Sequence, residues 1–224
     1  MIIKKLTLLS HELEKQKKFY VQNFGFKLLA ESENSFEIQT GFSILRFKKS
    51  TEFKPYHIAF GIPYSLHTSA SDWIEKRVNI QKDEGEKIVD FPAWNAKAIY
   101  FYDEDKNICE FIARKDLPLT SAVNFDVNQV YNIAEIGLVT NDIPSVFTKL
   151  QLSTKIQKYD GNMRNFLAVG DFKGLFICIN KNDKKWFPTY DEAMISDFEI
   201  QVDIAGFPFL ILYKNGELEI DNQV

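Results

Sequence analysis

The sequence is poor in the residues that build redox centres, metal knuckles and nucleophile triads. Its 224 residues include two cysteines and three histidines. Cys109 and Cys178 lie within apolar runs, spaced neither as a zinc ribbon nor as a redox pair, and each reads as a small core hydrophobe. Long apolar runs are also missing. No window approaches the roughly 18 apolar residues of a membrane span. The opening MIIKKLTLL is too short for a secretory signal, so a cytoplasmic protein without a membrane partner is expected. Charge is not dominated by one sign: 27 Lys and Arg face 31 Asp and Glu, a formal net charge of -4, and basic runs stop at pairs such as Lys184-Lys185. A nucleic-acid partner is therefore not expected. The sequence has no GxSxG, no P-loop and no dinucleotide glycine fingerprint, which removes the usual serine-hydrolase, ATP and NAD chemistries.

What the chain does have is aromatic residues, among them 20 Phe against three Met, and this predicts a core built on rings. Its second feature is an internal repeat. Residues 2–9 read as a strand, Glu12 to Asn23 as a helix stopped by Gly25, and three strands follow at 27–31, 35–40 and 43–48. The same βαβββ order returns from Tyr56-His57-Ile58-Ala59-Phe60, through a helix near 68–81 and strands at 87–91 and 98–102. The turn Asp103 to Asn107 then leads into a strand over 108–113. A third unit begins at Ile133. Asp142 is placed to cap its helix and Pro144 to occupy the first turn, and strands are predicted at 155–159, 165–169 and 175–179. The remainder holds three strand-like runs, 198–204, 207–213 and 217–220, which suit a fourth unit without its helix. The repeat implies an α+β protein of tandem βαβββ modules forming curved mixed sheets around clefts, with a degenerate second half. The expected division is a paired domain over 1–115, a connector over 116–130 and a second domain over 131–224.

Three passages carry a family resemblance: Lys17-Lys18-Phe19-Tyr20 through Phe24-Gly25-Phe26, the strand Tyr56 to Phe60, and YFYDEDKNICE from Tyr100 to Glu110. Together they resemble the vicinal oxygen chelate superfamily of glyoxalases, bleomycin-resistance proteins and ring-cleaving dioxygenases. The resemblance implies a divalent metal (Fe, Mn, Ni or Zn) held by residues from the first and last strands of paired units, with open positions for two oxygens of a small substrate. Carried onto this sequence, it places metal ligands at His57 and Glu110, with Glu110 also a candidate catalytic base. Lys5 and Leu45 fall where the first unit would supply the other two ligands. Lys5 is expected instead to act as a cation in the same cleft, paired to Glu110.

Other positions follow from the same pattern. Tyr56, Trp94, Tyr100 and Tyr102 are expected to line the pocket, or simply to fill an aromatic core. Glu135 matches His57 in the third unit, facing the apolar Ile177, and is expected in a second cleft. Two functions remain open: a metal-dependent lyase or dioxygenase-like enzyme acting on a small oxygenated molecule, or a metal-free protein that sequesters a small ligand. The cleft could form within one chain, so both monomer and homodimer are compatible with it.

Overall fold

In a computed structural model the chain is described over residues 1–119 and 124–222. Residues 120–123 of the expected connector lie outside the described residues. The first unit comprises β1 (Ile2–Ser10), α1 (Leu13–Lys17), β2 (Leu28–Ser32), β3 (Ser35–Thr40) and β4 (Ser43–Lys49). The second comprises β5 (His57–Ile62), α2 (His67–Glu75), β6 (Ile80–Gln81), β7 (Val89–Phe91), β8 (Ala96–Tyr102) and β9 (Ile108–Arg114). The third runs through β10 (Asn132–Thr140), α3 (Ile143–Thr154), β11 (Lys158–Gly161), β12 (Phe166–Asp171) and β13 (Gly174–Asn180). The final strands are β14 (Phe198–Ile204), β15 (Phe207–Lys214) and β16 (Glu217–Asn222), with no helix among them.

The helices show why the repeat was legible. The Asp142 carboxylate accepts from the Ser145 amide at 3.0 Å, and Pro144 occupies the first turn, where a missing N–H leaves no bond unmade. The first helix differs from expectation. It is α-helical only over Leu13–Lys17 and widens to a π-helix over Lys18–Asn23. The widening lets Phe19, Tyr20 and Phe24 all turn inward. Gly25 then reverses the chain at φ +87°, a conformation that favours glycine.

The pairing of units is the main correction to the sequence reading. Units one and two do not share a sheet. The seven-stranded sheet runs β16-β15-β14-β1-β4-β3-β2, joining unit one to the last three strands. The nine-stranded sheet runs β11-β12-β13-β10-β5-β9-β8-β6, with β7 on β8, joining unit two to unit three. The two sheets meet through buried polar links and rings. Ser43 Oγ donates to the Ile3 carbonyl at 2.7 Å and accepts from the Ile133 amide at 3.1 Å. The β8–β9 turn reaches back to unit one: Asp105 accepts from Ser10 Oγ at 2.5 Å and from the Glu12 amide at 3.0 Å. Asp103 accepts from Gln16 Nε2 at 2.5 Å and Tyr20 Oη at 2.9 Å. Phe24 packs edge-on to Trp73 at 5.1 Å and lies 5.3 Å from Phe101, so the aromatic core lies where units one and two meet. The Asp103–Asn107 turn is thus a clamp between sheets.

Candidate functional site

The cleft forms on the open face of the nine-stranded sheet, around the central strand β5. His57 and Ala59 point to one face because side chains two apart along a strand share a side. Ala59 stands opposite Glu110 of β9 on one side and opposite Glu135 of β10 on the other. A methyl group therefore separates two carboxylates, and His57 lies two residues along the same face. One ligand atom from each of His57, Glu110 and Glu135 lies within 4.8 Å of the others, and all three residues are buried.

This convergence corrects two expectations. Glu135 does not serve a separate cleft; it completes the same cluster as His57 and Glu110. Lys5 is absent from it, because β1 belongs to the other sheet, where Lys5 Nζ pairs with Glu37 Oε1 at 2.6 Å. The reason is a shared local geometry. β1 and β10 both carry a register irregularity, between Ile3 and Lys5 and between Ile133 and Glu135, so Lys5 holds in one sheet the place of Glu135 in the other.

The electrostatics follow from burial. His57 Nε2 lies 3.1 Å from Glu110 Oε2. The Arg114 guanidinium, 1% exposed, donates through Nη2 to Glu135 Oε1. Burial pushes the Glu135 carboxyl up to about 7, the charge on Glu110 adds to this, and Arg114 and His57 oppose it. Tyr100 stands opposite Glu110 across β8 and β9. Burial, then the charges on Glu110 and Glu135, hold its phenol well above the ordinary range.

The walls of the cleft are apolar, formed by Phe91, Trp94, Phe166, Ile177, Ile179 and Phe187 around a volume of about 360 Å³. Trp94 Nε1 donates to Asp160 Oδ2 at 2.5 Å, tying unit two to unit three at the rim. Trp186, on the long connection after β13, stacks on the His57 ring with centroids 5.0 Å apart and planes at 17°. Gly137 makes that stack possible, since a Cβ there would fall 2.6 Å from the indole. The sequence reading missed Trp186, Phe187 and Arg114. The first two lie on an irregular segment, and Arg114 read as the end of a strand.

Trp94 and Tyr100 line the cleft, and Ile177 forms part of its wall. Tyr102 does not; its hydroxyl donates to Asp191 Oδ2 at 2.5 Å and pins the segment carrying Trp186. Tyr56 also lies elsewhere, because the neighbour of His57 along a strand faces the other side of the sheet. Its hydroxyl donates to the Asp197 carbonyl at 2.5 Å and accepts from the Leu9 amide at 3.1 Å.

The donor set suits a divalent ion. Bonds of about 2.0–2.2 Å place neighbouring ligand atoms on the order of 3–4 Å apart, so a small inward movement of the observed cluster satisfies an ion. One imidazole with two carboxylates matches Mn, Fe, Ni or Zn better than a soft thiophilic metal. His57 Nδ1 is buried without a partner among the described residues, so presenting the Nε2 lone pair leaves an Nδ1–H without the acceptor that a metal-binding histidine usually has.

No family model matches the sequence, and no curated protein does. Solved structures match its three-dimensional form. A Bacillus subtilis protein titled "putative dioxygenase" aligns with 99% of this chain and 84% of its own, at 11% identity and a TM-score of 0.68. Glyoxalase I from Zea mays, as a V278E mutant, aligns with 99% of this chain and 92% of its own, at 12% identity and a TM-score of 0.57. The chain has the vicinal oxygen chelate fold. At such identities the likeness concerns the fold, and in that fold the cluster lies on the face enclosed by units two and three.

Proposed function

We propose that the chain is a metal-dependent, glyoxalase- or dioxygenase-like enzyme acting on a small oxygenated molecule in the cleft between units two and three. The observation that carries this reading is the convergence of His57, Glu110 and Glu135 from three adjacent strands, with ligand atoms within 4.8 Å and all three side chains buried. Two buried carboxylates in one cluster carry more negative charge than the single Arg114 guanidinium offsets, and an ion supplies the balance. A bound divalent ion would act as a Lewis acid on substrate oxygens. The side chains do the rest. Phe91, Trp94, Phe166 and Phe187 exclude water and hold a flat or apolar body. Trp186 fixes the plane of the imidazole. Glu110 is the candidate base, since it faces Tyr100 and the cleft rather than a permanent cation.

A second reading has a specific observation behind it. His57 with Glu110 and Arg114 with Glu135 form two hydrogen-bonded pairs that give each buried carboxylate a partner without an ion, as a metal-free ligand-sequestering protein requires. Elemental analysis of protein purified without chelators separates the two, combined with tryptophan emission, to which Trp186 against His57 and Trp94 in the cleft wall contribute. Near-stoichiometric metal, lost in His57→Ala, together with quenching of wild-type emission by added Co²⁺, supports the enzyme. No metal after incubation with iron, manganese, nickel and zinc, alongside thermal stabilisation by an aromatic ligand, selects the sequestering protein.

A further inference from the structure

The candidate metal site holds a charge that its ligands do not account for. Arg114 shares a face of β9 with Glu110, as their partners Ala96 and Tyr100 on β8 show. It is the largest of the fully buried side chains. One nitrogen donates to Glu135, the guanidinium carbon stands 5.4 Å from the Trp94 ring centroid, and Nε and Nη1 have no partner among the described residues. A guanidinium stays charged at any physiological pH. A buried ion pair stabilises a fold no better than apolar residues of the same size, so core packing alone gives no reason for an arginine here.

We propose that Arg114 is a positioning residue that sets the charge of the site and fits it for an anionic oxygen ligand. The inference rests on the metal-binding reading above. As metal ligands Glu110 and Glu135 bring two negative charges and an imidazole none, and Arg114 adds one positive, leaving a single negative charge. A divalent ion turns that into a single positive charge, whereas the same site without Arg114 would be neutral when loaded. Lys184 and Asp160, which line the cleft besides Glu110 and Glu135, are of opposite sign and cancel. Arg114 therefore decides whether the loaded cleft attracts an anion. By holding one oxygen of Glu135 it also fixes the direction of that carboxylate and leaves the other oxygen for a ligand.

The test uses the full chain loaded with Co²⁺ at pH 8, titrated calorimetrically with oxalate, a bidentate anion, and with imidazole, a neutral donor. Removing a unit charge a few ångströms away should weaken oxalate by about tenfold or more in Arg114→Met, with imidazole little changed. Arg114→Lys, which keeps the charge, should restore oxalate binding and leave the visible Co²⁺ spectrum shifted, because the fork holding Glu135 is lost. If Arg114→Met does not fold, Arg114→Gln carries the same comparison. Equal weakening of both ligands, or no change in either, overturns the proposal while the metal site stands. A wild-type protein that takes up no Co²⁺ overturns the metal reading itself, and this inference with it.

Discussion

Replacing Gly137 with Ala tests the contact between the cleft floor and the segment that covers it. The added Cβ would lie 2.6 and 2.8 Å from two carbons of the Trp186 ring and 3.2 Å from His57 Cβ. Carbons normally rest about 3.5–4.0 Å apart, so the indole must retreat by roughly 1 Å. Overpacking of this kind costs about 1–3 kcal/mol. Gly137 is not among the residues with positive φ. Alanine is therefore unstrained there, and its stiffer unfolded chain returns about 0.4–1 kcal/mol. The net loss is at most about 2.6 kcal/mol and centres on about 1.3, a fall in Tm of roughly 3–5 °C for a chain of this size. The decisive step is the second background. In Trp186→Ala the indole is gone and only the 3.2 Å approach to His57 Cβ remains, which a shift of a few tenths of an ångström relieves, so Gly137→Ala should then raise Tm by about 1–3 °C. Thermal melts of the four proteins give this sign reversal directly, as a double-mutant cycle. A lower Tm from Gly137→Ala in both backgrounds would refute the argument, because the obstruction would then lie in His57 or the strand itself.

Two further outcomes follow from residues outside the cleft. Tyr56→Phe removes a hydroxyl that bridges the Leu9 amide and the Asp197 carbonyl; about 1–3 kcal/mol of stability should be lost with metal uptake unchanged, and impaired uptake would return Tyr56 to the site. Asp103 is buried, and burial pushes its carboxyl up to about 6, against the hydrogen bonds from Asn107 and Tyr20. The folded state therefore binds this proton more tightly than the unfolded state. The stability it contributes is complete below about pH 4 and is lost as the pH rises through about 6, by on the order of 3 kcal/mol. Urea melts from pH 4.5 to 7.5 should show that component in the wild type and not in Asp103→Asn; parallel profiles would exclude Asp103 as its source.

Local order was legible in the sequence because each unit advertises it through period and punctuation. Gly25 ends a helix, Asp142 and Pro144 begin one, and alternating apolar residues mark β14. His57 and Glu110 were singled out by the family resemblance, and they come together because their strands neighbour each other within one unit. Glu135 was placed on the right strand but in the wrong cleft, and Lys5 was expected in the cleft instead, as a cation paired to Glu110.

The sequence by itself therefore determined the repeating unit and the order of its strands and helices, because those depend on residues a few positions apart. Only the tertiary structure decided which units share a sheet. Hydrogen bonding between β5 and β10 rather than between β5 and β1 is a choice among similar apolar strands, settled by packing over the whole chain. That choice replaced a lysine with a glutamate at the cleft. It also brought Trp186 over His57 and set Arg114 beneath Glu135, contacts across 129 and 21 residues that no local period encodes.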